Sequence, residues 1–221
     1  MGDWDPFADP ADDPSLPPPP PKARKIRVLC LHGTAVSGRI MKMQLLRVEK
    51  LLDGLAELIF INAPTPSIEG SPMFEDSVRM FAKAYGTNFY DTHAWFRPGK
   101  GFLPGQEPPV EGLDGKLAYF KEELRAHAPI DGILGFSEGA NVASLLVREV
   151  MAEDPAALRF VVHLNAGKPD WIKLRPELFQ DKLPLRSLHS CALNDMHVPE
   201  ECSLRDHYVD PVCIQHEGGH Q

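Results

Sequence analysis

Residues 130–151, IDGILGFSEGANVASLLVREVM, constrain the fold more than any other part of the chain. An apolar run ends at Phe136, Ser137 stands between Gly135 and Gly139, and a helical segment follows. The apolar residues of that segment, Ala140, Val142, Ala143, Leu145, Leu146, Val147 and Val150, lie on nearly every face. A helix that is apolar almost all round has to be buried. A short strand that feeds it through a tight glycine turn places it beside a central sheet.

The rest of the chain repeats this alternation. KIRVLCL (25–31), ELIFI (57–61), RFVVHLNA (159–166), RSLHSCA (186–192) and PVCIQ (211–215) read as strands. GRIMKMQLLRVEKLL (38–52) sets Met41, Leu45, Val48 and Leu52 on one helical face, and LDGKLAYFKEELRAHA (113–128) is a helix ended by Pro129. Strands alternating with helices predict an α/β layered fold around a mainly parallel sheet. A long irregular stretch, 62–112, holds one expected helix near residues 74–85. Residues 1–24 are acidic and proline-rich, poor in core-forming side chains, and are expected to be a disordered tail. A single domain is expected over 25–221.

Composition narrows the function. The net charge of -8 and the absence of a basic cluster exclude a nucleic-acid footprint and favour a small-molecule partner. No apolar run is long enough to span a bilayer and no signal peptide is evident, so the expected location is cytoplasmic. The four cysteines form no C-x-x-C pair and are expected to be buried, reduced thiols. Histidines crowd the C-terminal third, but none has zinc-site spacing, so neither metal nor cofactor is expected. Pro17–Pro21 is compatible with an SH3 or WW partner, with a plain tail as the simpler reading.

Ser137 falls between a strand and a helix, the setting of a nucleophile elbow. G-x-S-x-G alone arises by chance in about one chain in fourteen of this length, so the setting carries the argument. The backbone N–H of Glu138 would be one oxyanion donor, worth about 3 kcal/mol in a transition state. After the first strand, LHGTAVSG offers the N–H of Thr34 as a second donor, with His32 as a structural histidine of that loop. A serine needs a base, and the base a carboxylate. In the elbow order Ser, Asp, His, Asp195 follows the strand at 186–192 and His220 lies in the glycine turn of HEGGH. His216 competes with His220, but it ends a strand and is expected to pack or bind backbone. Trp95, Phe96 and Phe102, in the stretch 64–110, are candidates for an apolar substrate pocket.

At RVLCLHGTAVSG, NAPTP, AWFRPG, GLDGKLAYFKEEL, IDGILGFSEGANVASLL, LNDMHVPEE and HEGGH the chain resembles the FSH-type serine hydrolases of the α/β-hydrolase superfamily. That group includes ovarian cancer-associated protein 2 homologues and fungal polyketide-pathway thioesterases. The resemblance implies an α/β-hydrolase fold and hydrolysis of acyl esters or thioesters through an acyl-enzyme on Ser137, with Asp195 and His220 completing a triad. A carrier protein bearing the acyl chain is one implied partner. Many relatives have Gln where this chain has Glu138, a change that leaves a backbone donor in place. Relatives also continue past the histidine loop, so His220 is expected to be less firmly anchored here. Three readings stay open: a general esterase, a thioesterase for carrier-bound chains, and a catalytically idle hydrolase fold serving as a binding module.

Overall fold

A computed structural model describes residues 24–66, 75–76, 79–80, 83–84, 92–95, 113–167, 172, 175–195 and 203–220. The tail expected over 1–24 lies outside these apart from Arg24. Six strands form the main sheet: β1 (Ile26–Leu31), β2 (Ala56–Ile61), β5 (Gly132–Phe136), β6 (Phe160–Leu164), β7 (Arg186–Ala192) and β8 (Val212–His216). Their order is β2-β1-β5-β6-β7-β8 and every pairing is parallel. The helices described along their whole length are α1 (Gly38–Gln44), α2 (Leu46–Leu51), α3 (Leu113–Ala126) and α4 (Glu138–Glu153).

Successive side chains of a strand point to opposite faces, and β1 displays this directly. Leu29 and Leu31 join Ile133, Val161 and the α4 residues Ala143, Leu146, Val147 and Val150 in one cluster. Val28 and Cys30 face the other way, onto Leu58, Leu134 and Met41 of α1. Each fully buried Val or Leu contributes about 1.5–3 kcal/mol, so α4 is held by packing on the sheet. Because all strands run one way, the segments after β1, β5, β6, β7 and β8 share one edge. In parallel sheets that edge holds the ligand crevice.

The opposite edge is closed by charge. Asp131, whose side chain is 2% exposed, accepts hydrogen bonds from Arg24 (2.6 and 2.8 Å), the Arg27 backbone N–H (2.9 Å) and Arg159 (3.2 Å). One carboxylate thereby ties the starts of β1, β5 and β6 together.

Several expectations are corrected. The helix predicted over 38–52 is two helices, because Leu45 (φ -92°, ψ 8°) leaves helical geometry between them. The stretch read as irregular includes a two-residue antiparallel pair, β3 (Thr65–Pro66) with β4 (His93–Ala94). Residues 75–76, 79–80 and 83–84 are helical, in keeping with the helix expected there. Of the described cysteines, Cys30 is a buried thiol, its pKa pushed up to about 12 by burial. Cys213 is exposed on the edge strand and Cys191 is disulfide-bonded, so among the described cysteines buried and reduced fits Cys30 and neither of these two.

Candidate active site

Ser137 lies between β5 and α4 with φ 53° and ψ -118°. A non-glycine residue at positive φ costs of order 1–3 kcal/mol and persists only where its surroundings impose it. Here the Ser137 N–H donates to the Leu164 carbonyl (2.9 Å), and its own carbonyl accepts from Ala140 (3.0 Å) and Asn141 (3.1 Å). The turn is possible because Gly135 and Gly139 lack side chains. A Cβ on Gly135 would lie 2.5 Å from the Ala140 Cα.

The last strand brings a partner to the hydroxyl. Ser137 Oγ donates to His220 Nε2 at 2.9 Å, and His220 Nδ1–H donates to Asp195 Oδ2. The Asp195 side chain is wholly buried, in the turn after β7, where its N–H bonds the Ala192 carbonyl (3.2 Å). The Leu193 N–H donates to the His216 carbonyl (2.8 Å), joining the ends of β7 and β8. The Phe136 ring lies 5.2 Å from the His220 ring, tilted by 44° to it. His216, the competing candidate, sits at the end of β8 and accepts the Gly218 N–H at Nδ1 (3.2 Å). Ser137, Asp195 and His220 therefore come together from three chain segments, and His216 binds backbone.

The loop after β1 approaches from the other side. A Cβ on Gly33 would lie 3.4 Å from Ser137 Cβ, which places the Gly33–Thr34 turn against the serine. His32 is fully buried, and both of its ring nitrogens are used: Nδ1–H donates to the Gly33 carbonyl (2.7 Å) and Nε2 accepts the Ala63 N–H (2.9 Å). Such a ring holds the loop and has no proton to exchange with a ligand. Glu138 opens α4, where first-turn N–H groups have no acceptor within the helix.

The pocket expectation is corrected for Trp95. It is 1% exposed, packed in the core, and its Nε1–H donates to the His32 carbonyl (2.9 Å). It braces the loop from below and lines no open surface. Phe96 and Phe102 lie outside the described residues. Among the described residues no three metal-ligating side chains gather, and no helix is long and apolar enough to cross a membrane.

Sequence reasoning missed the supports. Asn165, directly after β6, donates through Nδ2 to the His220 carbonyl (3.2 Å), and Asn194 donates to the Glu217 carbonyl (2.7 Å). Beneath α4, His163 Nδ1 bonds the Ala140 carbonyl (3.1 Å), and its Nε2 accepts from the Tyr208 hydroxyl (2.9 Å). The rule that pointed to Asp195, a polar residue just past a strand, would have pointed to Asn165 too.

A parallel sheet with a buried helix after a Gly-flanked serine elbow is the α/β-hydrolase architecture, and solved structures agree. A Bacillus cereus carboxylesterase is similar with a TM-score of 0.57 and 18% identity, over 89% of this chain and 81% of that one. A Mesorhizobium loti carboxylesterase is similar with a TM-score of 0.56 and 17% identity, over 90% and 83%. Residues 22–221 match the family model described as Serine hydrolase (FSH1), and the chain belongs to that family. The human protein named Esterase OVCA2 is 30% identical over 204 residues, 89% of either chain. Esterase FUS5 of Gibberella fujikuroi is 30% identical over 204 residues, 88% of this chain and 78% of its own.

Proposed function

We propose that this serine hydrolase cleaves carboxyl esters through a covalent acyl intermediate on Ser137. The observation that carries the reading is the hydrogen-bond sequence from Ser137 Oγ through His220 to Asp195, with 2.9 Å at the nucleophile. His220 Nε2 takes the hydroxyl proton as Oγ attacks the ester carbonyl. The buried Asp195 fixes the tautomer and stabilises the imidazolium that forms. The N–H groups of Glu138 and Thr34 hold the tetrahedral oxyanion. Collapse breaks the bond to the leaving oxygen, which takes the proton from His220. Water, deprotonated by His220, then attacks the acyl carbon, and Ser137 regains its proton as the acid departs. The esterase names of the relatives support the reaction class. A thioester fits the same steps with a thiolate leaving group.

Labelling with a fluorophosphonate and turnover of 4-nitrophenyl esters of graded chain length test this reading. Ser137→Ala should abolish both, and His220→Ala should slow both by roughly 10²–10⁴-fold. A folded wild type that neither labels nor turns over would overturn the reading in favour of a binding module. Paired oxoester and thioester substrates of one acyl chain decide which leaving group is preferred.

A further inference from the structure

His220 is separated from β8 by Glu217, Gly218 and Gly219, and a Cβ on Gly219 would meet nothing within 4 Å. Two glycines give this loop backbone freedom that a general base cannot tolerate. The restraint comes from neighbouring strands. Asn194, in the turn after β7, holds the outer part of the loop through the Glu217 carbonyl, and Asn165 holds the inner part through the carbonyl of His220 itself. Asn165 is 5% exposed, and its backbone N–H is spent on the Ser190 carbonyl at 2.9 Å. The residue before it, Leu164, accepts the Ser137 N–H. The dipeptide Leu164–Asn165 thus touches the backbone of the serine with one residue and that of the histidine with the other.

We propose that Asn165 is a positioning residue that sets the reach from His220 Nε2 to Ser137 Oγ, with Asn194 as an outer clamp. This rests on the hydrolase reading above. The choice of residue type follows from two demands at one position. Its φ of 49° lies in the left-handed region, which favours Gly and Asn. The contact to the His220 carbonyl requires an N–H donor on a short side chain, which Gly and Asp lack. Asparagine meets both demands.

The test measures the maximal labelling rate and the half-saturating concentration of a fluorophosphonate for wild type, N165G, H220A and the double variant. N165G accepts the same positive φ and removes the side chain together with its donor. Its maximal rate should fall about tenfold with half-saturation within twofold, because the serine and the probe site are untouched. In the His220→Ala background the same substitution should change the rate less than twofold, since Asn165 acts only through His220. Equal slowing in both backgrounds, or no slowing in either, overturns the proposal. N165D keeps shape and backbone preference without the donor and should also slow labelling. N194A, at an exposed site, should slow it two- to threefold. The downfield proton resonance of the imidazole N–H bonded to Asp195 gives a readout independent of chemistry. It should be sharp in wild type and broadened in N165G. If wild type never labels yet the resonance is sharp in wild type and broadened in N165G, the hydrolase reading falls while the positioning role stands. If the resonance is the same in both proteins, the positioning role falls.

Discussion

At Gly139 an added methyl group would lie 2.2 Å from the carbonyl oxygen of Leu31 and 2.4 Å from that of His32. Both are backbone atoms of the strand and loop that face Ser137, so neither can swing aside as a side-chain end would. Gly139→Ala should therefore lower stability by roughly 1–3 kcal/mol and push the Gly33–Thr34 turn away from the serine. Urea denaturation and ester turnover would read the two effects, and a variant equal to wild type in both would show that the turn has slack. At this scale the sequence spoke clearly where a residue type is demanded by local geometry. Ser137 was legible from its flanking glycines, and Asp195 and His220 from their order and their places after strands. Trp95 was misread because an aromatic residue in an irregular stretch looks available, whereas its indole N–H has a buried carbonyl to satisfy. That carbonyl belongs to His32, 63 positions away, a pairing no local pattern encodes.

Among the elements, the strands of the main sheet were legible because apolar runs bounded by turn residues are what a buried parallel sheet requires. The β3–β4 pair was not, since two residues carry no period, and nothing in 38–52 signals the break at Leu45. Asp131 was hidden inside an apparent strand start, although it joins three strands through arginines brought from distant positions. The Arg24 hydrogen bond above all, with the Arg27 N–H and Arg159, holds its carboxyl well below the usual range. Asp131→Asn should lower stability at pH 7 by roughly 1–3 kcal/mol, nearer the low end because both arginine side chains are more than half exposed. The stabilisation is present above the unfolded carboxyl's pKa near 4 and lost as pH falls further. Urea midpoints of wild type and variant should therefore converge below about pH 4, and a constant gap would refute the assignment. At the far edge, β8 pairs among the described residues only with β7 and exposes Val212 and Ile214. Edges of that kind invite pairing between chains, and a lysine blocks it. Ile214→Lys should raise the concentration at which light scattering begins, with stability within about 0.5 kcal/mol of wild type. Unchanged scattering would mean that another surface drives association.

For the molecule as a whole, the pH dependence of stability follows from groups buried in their neutral form. His163 and His189 stack 5.0 Å apart between β6 and β7, with Tyr208 against both and the Arg148 guanidinium 5.6 Å from the Tyr208 ring. Burial, then the neighbouring His189 and Arg148, push His163 down to about 3, although its bond to the Ala140 carbonyl favours the charged form. Burial, then Arg205, push His189 down to about 4, against Asp206. An unfolded histidine binds its proton near pH 6.5. Between that value and the folded ones, the unfolded chain carries protons the native chain refuses. Stability therefore falls on acidification by about 1.4 kcal/mol per pH unit for each ring, or about 2 kcal/mol each by pH 5. This window lies above the one governed by Asp131, so acid acts first beneath α4, where His163 supports the Ala140 carbonyl in the turn that carries Ser137. His163→Gln replaces the ring with a group that cannot take up a proton. Whatever the substitution costs at pH 8, the slope of its unfolding free energy between pH 6.5 and 5 should be shallower than wild type by about one proton. Urea titrations at half-unit steps measure that slope directly, and parallel curves for the two proteins would mean that His163 does not set the acid limit of the fold.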